Sequence, residues 1–254
     1  NPRAKADRLE LSKGWRLINV NEERVLLERA VGENSEVEER VIALKYEGRI
    51  REIFSIGMGP EGVIYASSKP TVLMSYDPET ERLTDLKEYG PDGAQIGSMT
   101  GCNGKLYMGT YTNAVIHVFD PANPSLGSRT IGSVGEYQNR VKSMVADSHG
   151  TIYMATHPGY GEHGGAVVYF NSRNETFLTY RFIIPNQSLQ SLALDEERGR
   201  LYLGSSIHGG NGTTPIESEA IVAEWDIDNR RVTRQIVPVE GAATISALFA
   251  VPNG

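Results

Sequence analysis

Short runs of alternating apolar and polar residues, or of dense β-branched residues, cover most of the chain from about residue 50 onward. Polar turns rich in Asp-Pro, Asn and Gly separate the runs. Because successive side chains of a strand point to opposite faces, this pattern predicts short strands linked in series by tight turns. No long 3.6-residue period appears, and the segment "PRAKADRLELSKG" at residues 2–14 is a weak candidate for one short helix.

The strand pattern repeats along the chain. Each repeat has glycine, one further side chain, a β-branched residue or leucine, tyrosine, an apolar residue and then small residues. After it comes a strand that ends in an aromatic residue, Asp or Asn, and a turn. A repeat of about 40 to 50 residues with four short strands is typical of one propeller blade. The four copies are "GVIYASS" (62–68), "GKLYMGT" (104–110), "GTIYMAT" (150–156) and "GRLYLGS" (199–205).

The sequence therefore predicts an all-β fold, a β-propeller of four-stranded antiparallel blades in a single domain over residues 1–254. Residues 12–47 read as outer strands, and residues 239–254 read as an inner strand alone. Joining them would complete a fifth blade and leave no free sheet edge. The alternative is a segment cut from a larger propeller. The complete blades are predicted at about 48–90, 91–134, 135–185 and 186–238.

Composition and net charge limit the classes of partner that we expect for this chain. The net charge is -7 and the isoelectric point is near 5.4, which argues against nucleic acid and anionic membranes as partners. No apolar run approaches the roughly 18 to 20 residues that span a bilayer. The single cysteine, Cys102, excludes an intrachain disulfide. The chain starts without methionine, so we expect a processed protein or an excerpt, secreted or periplasmic if a leader was removed.

Two enlarged loops carry the candidate chemistry. In a four-stranded antiparallel blade, the loop between the second and third strands leaves from the same end as the connection to the next blade. In blades three and four this loop is longer by about six and twelve residues than in blades one and two, and it holds His157, His163 and His208. Long loops with convergent polar groups predict a ligand site. The expected ligand-binding residues are Tyr111, His163, Asn139 and Gln187.

Residues 50 to 254 resemble propellers with WD40-like and kelch-like repeats. Trp225-Asp226 stands where a WD dipeptide would, but the glycine-histidine partner of true WD40 blades is absent, so the resemblance is to the fold class. The stretches "LYMGTYTNAVIHVFDP" and "LYLGSSIHGGNGTTPIESEAIVAEWD" are similar to repeats of bacterial propellers of uncertain function and of propeller-type polysaccharide lyases. A shared propeller does not by itself specify a reaction.

The resemblance to lyases implies an enzyme or enzyme-like module that acts on acidic polysaccharide. Proton abstraction beside a uronate carboxylate needs a base, a cation that neutralises the carboxylate, and an acid for the leaving oxygen. On the predicted face, His157 or His208 would be the base and Arg140 the cation. Tyr160 or Tyr111 would be the acid.

Three alternatives stay open at this point. The first is a non-catalytic propeller that binds a protein or carbohydrate partner through the same face. The second is that the loops are only solvated glycine-rich turns. The third is a divalent metal site of His157 and His163 with Glu162, Glu217 or Glu219, which depends on the two loops meeting. No cofactor is indicated with certainty.

Overall fold

The structure is a computed structural model. It describes residues 14–20, 24–31, 36–43, 52–69, 72–86, 90–91 and 94–251. The helix candidate at residues 2–14 lies, apart from Gly14, outside these ranges. The strands, in chain order, are β1 (Arg16–Val20), β2 (Arg24–Val31), β3 (Glu36–Ala43), β4 (Ile53–Met58), β5 (Ile64–Ser68), β6 (Leu73–Asp77), β7 (Arg82–Asp85), β8 (Gln95–Cys102), β9 (Lys105–Tyr111), β10 (Val115–Phe119), β11 (Ser128–Ser133), β12 (Gln138–Ala146), β13 (Thr151–Pro158), β14 (Ala166–Asn171), β15 (Thr176–Arg181), β16 (Ser188–Asp195), β17 (Arg200–Ser206), β18 (Val222–Asp226) and β19 (Arg231–Ile236).

These strands form antiparallel sheets, each made from strands that are consecutive in the chain. The first sheet contains β1 to β3 among the described residues, and the next four contain β4–β7, β8–β11, β12–β15 and β16–β19. The all-β prediction and the four-stranded antiparallel repeat are confirmed. In the described ranges, helical structure is confined to short 3-10 turns such as Pro60–Gly62 and Pro124–Leu126, and none of it is a helix able to cross a bilayer.

The first strand of each four-stranded sheet carries an irregularity at the same place. An apolar residue and a serine pair with neighbouring residues of the second strand, and the residue between them has no partner there. Such a β-bulge redirects one side chain. The four segments are Ile53-Phe54-Ser55, Ile96-Gly97-Ser98, Val141-Lys142-Ser143 and Leu189-Gln190-Ser191.

One apolar cluster fills each gap between consecutive sheets. Trp15 and Leu27 pack against Met58 and Ile64, which joins the first sheet to the second. Three larger clusters then join the second sheet to the third, the third to the fourth, and the fourth to the fifth. Each large side chain removed from water contributes about 1.5 to 3 kcal/mol. The sheets are therefore held face to face in sequence order.

The repeated tyrosines occupy one position in the second strand of each four-stranded sheet. Tyr65, Tyr107 and Tyr153 are buried, each in a different inter-sheet cluster. Burial raises the pKa of Tyr65 to about 12, and the carboxylate of Glu61 adds to the effect. Tyr202 is only half-buried. Tyr65, Tyr107 and Tyr153 therefore pack the sheets together and are not available to a ligand.

The small residues after each tyrosine let the next sheet approach. A Cβ on Gly109 would lie 2.4 Å from the Cβ of Val141 in the neighbouring sheet. A Cβ on Gly204 would lie 2.8 Å from Cγ2 of Ile245. Ile245 therefore contacts the last sheet much as Val141 contacts the sheet before its own.

The two ends of the chain do not share a sheet within the described residues. Residues 241–245 instead run along the start of β16 and the end of β17, with the N–H of Ile245 donating to the Ser205 carbonyl at 2.8 Å. Ser206 and Thr244 form a single antiparallel bridge. The fifth blade expected from residues 12–47 and 239–254 stays a prediction.

Candidate functional site

The loop between the second and third strands begins and ends at one hydrogen bond, which we call the clamp. In it, a hydroxyl at the end of the second strand donates to the carbonyl of the residue that begins or precedes the third strand. Since this contact is local, the loop beyond it can lengthen without disturbing the sheet. The pairs are Thr110 with Val115 (3.0 Å), Thr156 with Ala166 (3.1 Å) and Ser205 with Ile221 (3.1 Å).

Two buried glutamines brace these clamps. Gln138 accepts a hydrogen bond from the Thr156 hydroxyl at 2.7 Å and donates to the Gly164 carbonyl. Gln187 accepts from the Ser205 hydroxyl and donates to the Glu219 carbonyl at 3.0 Å. Only 4% of Gln187 is exposed, and both ends of its amide are engaged. The structure thus gives this expected ligand-binding residue the role of holding a loop.

The two enlarged loops contact each other. The Gly161 N–H donates to the Asn211 carbonyl at 2.9 Å, and the Gly210 N–H donates to the Glu162 carbonyl at 2.8 Å. A Cβ on Gly210 would lie 1.5 Å from the Gly159 carbonyl oxygen, so only glycine fits at this crossing. The loops are a packed unit and not two independent turns.

Arg181 binds the first enlarged loop of this unit through its side chain. Its side chain is almost completely buried, pairs with Glu162 at 2.5 Å and donates to the His163 carbonyl at 2.8 Å. The guanidinium carbon also lies 4.4 Å from the centre of the Phe182 ring and 5.4 Å from that of the Tyr137 ring. Cation–π contacts of this kind orient the rings as well as the arginine.

A cleft of about 420 Å³ opens at this end of the molecule, between the third and fourth sheets. Two tyrosines border it and are largely exposed, Tyr137 at 72% and Tyr160 at 63%. The rest of the wall is mainly polar, with amide groups and one carboxylate. The lining residues are Thr112, Asn113, Tyr137, Gln138, Asn139, Gly159, Tyr160 and Glu162.

Tyr137 is held in a strained backbone conformation. Its φ of 55° lies in the left-handed region, which bulky residues rarely adopt. The equivalent positions in the next two connections are Asn186, with φ 60°, and Gly241, with φ 72°. In all three turns the following N–H donates to the carbonyl three residues back. Asparagine and glycine suit this position and tyrosine does not, so the exposed ring is retained at an energetic cost.

Asn139 lines the same cleft. Its side-chain oxygen accepts the Asn113 N–H at 2.8 Å, which orients the amide. Its amide nitrogen has no hydrogen-bond partner among the described residues. The Asn139 amide nitrogen therefore lines the cleft without a partner from the described residues.

A connected group of side chains links the cleft to the first strands. The Tyr160 and Tyr111 hydroxyl oxygens are 2.7 Å apart. The Arg140 guanidinium carbon lies 3.8 Å from the centre of the Tyr111 ring, and Arg140 donates to Gln95 at 3.2 Å. The hydrogen bond with Tyr160 is the main cause that raises the pKa of the Tyr111 hydroxyl. The Tyr111 hydroxyl therefore stays protonated at neutral pH.

His157 pairs with Arg140 across β12 and β13. Burial lowers the pKa of His157 to about 4, opposed by its hydrogen bond to the Pro158 carbonyl and assisted by nearby positive charges. Its Nδ1 lies 3.0 Å from that carbonyl oxygen, so Nδ1 carries the proton and Nε2 is an acceptor. His208 is exposed, and it lies near enough to His157 for its charge to contribute to the lowered pKa of His157.

His163 faces into the loop unit. Its Nδ1 is buried and makes no hydrogen bond in the described part of the chain. A Cβ on Gly209 would lie 2.8 Å from that nitrogen, which shows how closely the second loop covers it. The structure thus separates His163 from the exposed wall of the cleft.

The residues that the structure describes do not supply a set of ligands for the divalent metal site considered above. Among them, no three His, Cys, Asp or Glu side chains converge in a way that could hold an ion. Glu162 is paired with Arg181, and Glu217 accepts a hydrogen bond from Asn186 at 2.9 Å.

Three residues of the site are not among the catalytic and ligand-binding residues predicted from the sequence, although the sequence places the first of them, Tyr137, on a connection that reaches the predicted face. Tyr137 lies two residues before the predicted Asn139, but nothing in its local sequence reveals its exposure. Glu162 was considered only as a metal ligand, and Arg181 stands inside a strand. The signal that could have found Tyr137 is alignment of the repeats, which puts a tyrosine where the other connections have asparagine and glycine.

A second cleft, of about 360 Å³, lies between the first two sheets. Arg29 and Arg40 stack on Trp15, and each pairs with a carboxylate, Glu38 and Glu81 respectively. Because these arginines and glutamates are already paired with one another, this cleft is a poorer candidate for a ligand site.

Comparison with solved structures supports the fold alone. No protein-family model and no curated protein matches the chain. Among solved structures 673 chains match, and an arrangement shared so widely does not indicate one function. One is the extracellular domain of the one-component system BT4673 of B. thetaiotaomicron, with a TM-score of 0.61 and 16% identity. The match covers 96% of this chain and 30% of that chain, so this chain spans about a third of its length.

Proposed function

We propose that the sheets are blades of a propeller-like ring and that the chain is a carbohydrate-binding module. Contacts between the first strands support the ring, since β4 contacts β8, β8 contacts β12, and β12 contacts β16. The face-to-face clusters between all consecutive sheets support it as well.

One observation carries the binding proposal, which is the pair of exposed tyrosines that border a cleft of amide and carboxylate groups. Aromatic rings offer flat apolar surfaces to the C–H faces of a sugar, and amides exchange hydrogen bonds with its hydroxyl groups. The strained turn at Tyr137 and the free amide of Asn139 suit the same purpose. The cleft volume of about 420 Å³ lies within the range of small-ligand sites.

Binding to a panel of immobilised oligosaccharides tests this proposal. Tyr160→Ala removes one wall and should weaken binding by about 1 to 3 kcal/mol. Tyr160→Phe is the matched control, since it keeps the ring and loses only the hydroxyl pair with Tyr111. Equal binding by the wild type and Tyr160→Ala, or no binding to any glycan, contradicts the proposal. A protein partner would then be the occupant to seek.

A second candidate is proton abstraction from a uronate, as in polysaccharide lyases. The connected group of Arg140, Tyr111 and Tyr160 beside the cleft favours it. The low pKa of His157 speaks against it, because a base with a pKa near 4 is weak at neutral pH. Ultraviolet absorbance of an unsaturated product from uronate polymers tests it, and activity should disappear in Tyr111→Phe. Binding without product would leave the module non-catalytic.

The location of the chain is part of the proposal. The structural neighbour named above is an extracellular domain. A carbohydrate-binding module outside the cytoplasm is consistent with that neighbour, and fractionation of the native host with an antibody would test it.

A further inference from the structure

Three cationic side chains, Lys69, Arg140 and Lys142, lie on or beside the first strands, and none of them lines the cleft. Arg140 and Lys142 belong to β12, and Lys142 is the bulge residue that has no partner on β13. The Lys69 ammonium lies 3.9 Å from the centre of the ring of Phe54, which is the bulge residue of β4. Equivalent bulge positions of two sheets thus hold Lys142 and the ring against which Lys69 packs.

The strand between β4 and β12 has no side chain at the equivalent position. The bulge residue of β8 is Gly97, which has no side chain, and a Cβ there would lie 2.4 Å from the Val141 carbonyl oxygen. The neighbouring Gln95 of β8 accepts a hydrogen bond from Arg140 at 3.2 Å. β8 therefore orients Arg140, and its bulge residue places no side chain between Lys142 and Lys69.

These cations lack counter-charges within the described ranges. No carboxylate there forms an ion pair with Lys69, Arg140 or Lys142. Elsewhere in the same acidic chain, Arg129 and Arg181 are paired with glutamates. A group of unpaired cations is unusual in a protein of net charge -7.

Lys142 is also partly withdrawn from water. Burial, and then the charges of Arg140 and Lys69, lower the pKa of the Lys142 ammonium. Withdrawing a charge from water is costly unless an opposite charge compensates. An anion placed among the three would lower this cost and would receive hydrogen bonds from both ammonium groups and the guanidinium.

We propose that Lys69, Arg140 and Lys142 form an oxyanion-binding site on the first strands, which accepts a carboxylate, sulfate or phosphate group. The site is independent of carbohydrate binding at the cleft. Arg140 connects the two through Tyr111 and Tyr160, so a sugar that carries such a group could reach both.

Isothermal titration calorimetry at constant ionic strength tests the site with three probes, namely inorganic phosphate, sulfate and glucuronate. We expect saturable binding of at least one probe by the wild type. Lys142→Met should weaken that binding about tenfold or more, as loss of a charge-assisted hydrogen bond does. Lys105→Met is the matched control. Lys105 begins β9, at the end of its sheet opposite to Gln95, so this substitution should leave anion binding unchanged.

Folding is controlled by a second measurement on the same variants. Lys142→Met should have a melting temperature equal to or above that of the wild type, because it removes a charge without a counter-ion. Added phosphate should raise the melting temperature of the wild type and of Lys105→Met, and much less that of Lys142→Met.

The outcomes separate the anion sources and the two proposals. Binding of glucuronate alone assigns the site to a uronate, and binding of phosphate or sulfate assigns it to a free or ester-linked anion. No saturable binding of any probe, or undiminished binding by Lys142→Met, overturns the site. Tyr160→Ala should keep anion binding, so failure of the carbohydrate proposal would not affect this result.

Discussion

At the scale of single residues, neighbours decide what each side chain can do. Tyr65 and Tyr137 are the same residue type, but one is buried between sheets and the other is 72% exposed on a strained turn. Asn139, near the start of β12, and Gln187, directly before β16, are both amides, but Asn139 lines the cleft with an amide nitrogen that has no partner in the described ranges, whereas the Gln187 amide nitrogen donates to the Glu219 carbonyl. Residue type alone therefore does not separate packing from binding.

Tyr137 provides a residue-scale prediction on strain. Tyr137→Asn and Tyr137→Ala both remove the ring and its contact with Arg181, but asparagine tolerates a left-handed φ better than alanine. Tyr137→Asn should therefore be more stable than Tyr137→Ala by up to about 1 kcal/mol. Urea unfolding measures the difference. Both variants should lose glycan binding equally, and equal stability would show that the turn relaxes.

His157 provides a second residue-scale prediction, on pH. Its pKa is about 4 in the folded chain, below the ordinary 6.5, so between these values the unfolded chain binds a proton that the folded chain does not. Stability should therefore fall as pH drops from about 6.5 to 4, by about 2 to 3 kcal/mol, and this loss should end below pH 4.

Urea unfolding at pH 7 and pH 4.5 checks this dependence. His157→Gln should reduce it, and His149→Gln, in an exposed turn, should not. Burial also lowers the pKa of His117, so part of the dependence should survive in His157→Gln. An unchanged dependence in His157→Gln would mean that its ring is hydrated.

At the scale of elements, contact between sheets depends on missing side chains. Gly109→Ala would put a Cβ 2.4 Å from Val141 Cβ and should destabilise the fold by about 1 to 3 kcal/mol. Gly132→Ala is the matched control, since its Cβ would meet only the Phe177 ring at 3.7 Å. Thermal unfolding of the pair checks the prediction. Equal stability of the two variants would contradict tight apposition of β9 and β12.

At the scale of the whole molecule, the stacking of sheets extends past the last four-stranded sheet. Ile245 contacts Gly204, and the Ser191 hydroxyl donates to the Ile245 carbonyl at 2.8 Å. Ile245→Ala should therefore cost about 1 to 2 kcal/mol of unfolding free energy. Ile216→Ala, in an exposed part of a loop, should change it little. Similar values for the two would show that residues 241–245 are only loosely attached.

Most of the sheet structure was predictable because its signals are local. The strands around Arg140, Tyr153 and Val168 follow from alternation and turn residues, and the structure places them within the blade predicted at 135–185. The enlarged loops were predictable from the spacing between repeats. The burial and contacts of His157, His163 and Gln187 were not predictable, because burial depends on which loop lies over each side chain.

The amino-acid sequence by itself determined the all-β class, the four-stranded repeat and the end of the sheets where the long loops gather. A period of two and a repeated turn pattern are properties of neighbouring residues, and any copy of the repeat must fold in the same register. Only the tertiary structure decided that Tyr137 is exposed on a strained turn, that Gln187 is buried, and that Lys69 packs against the ring of Phe54. Those features arise between residues far apart in the chain, where packing of sheets and loops sets both distance and access to water.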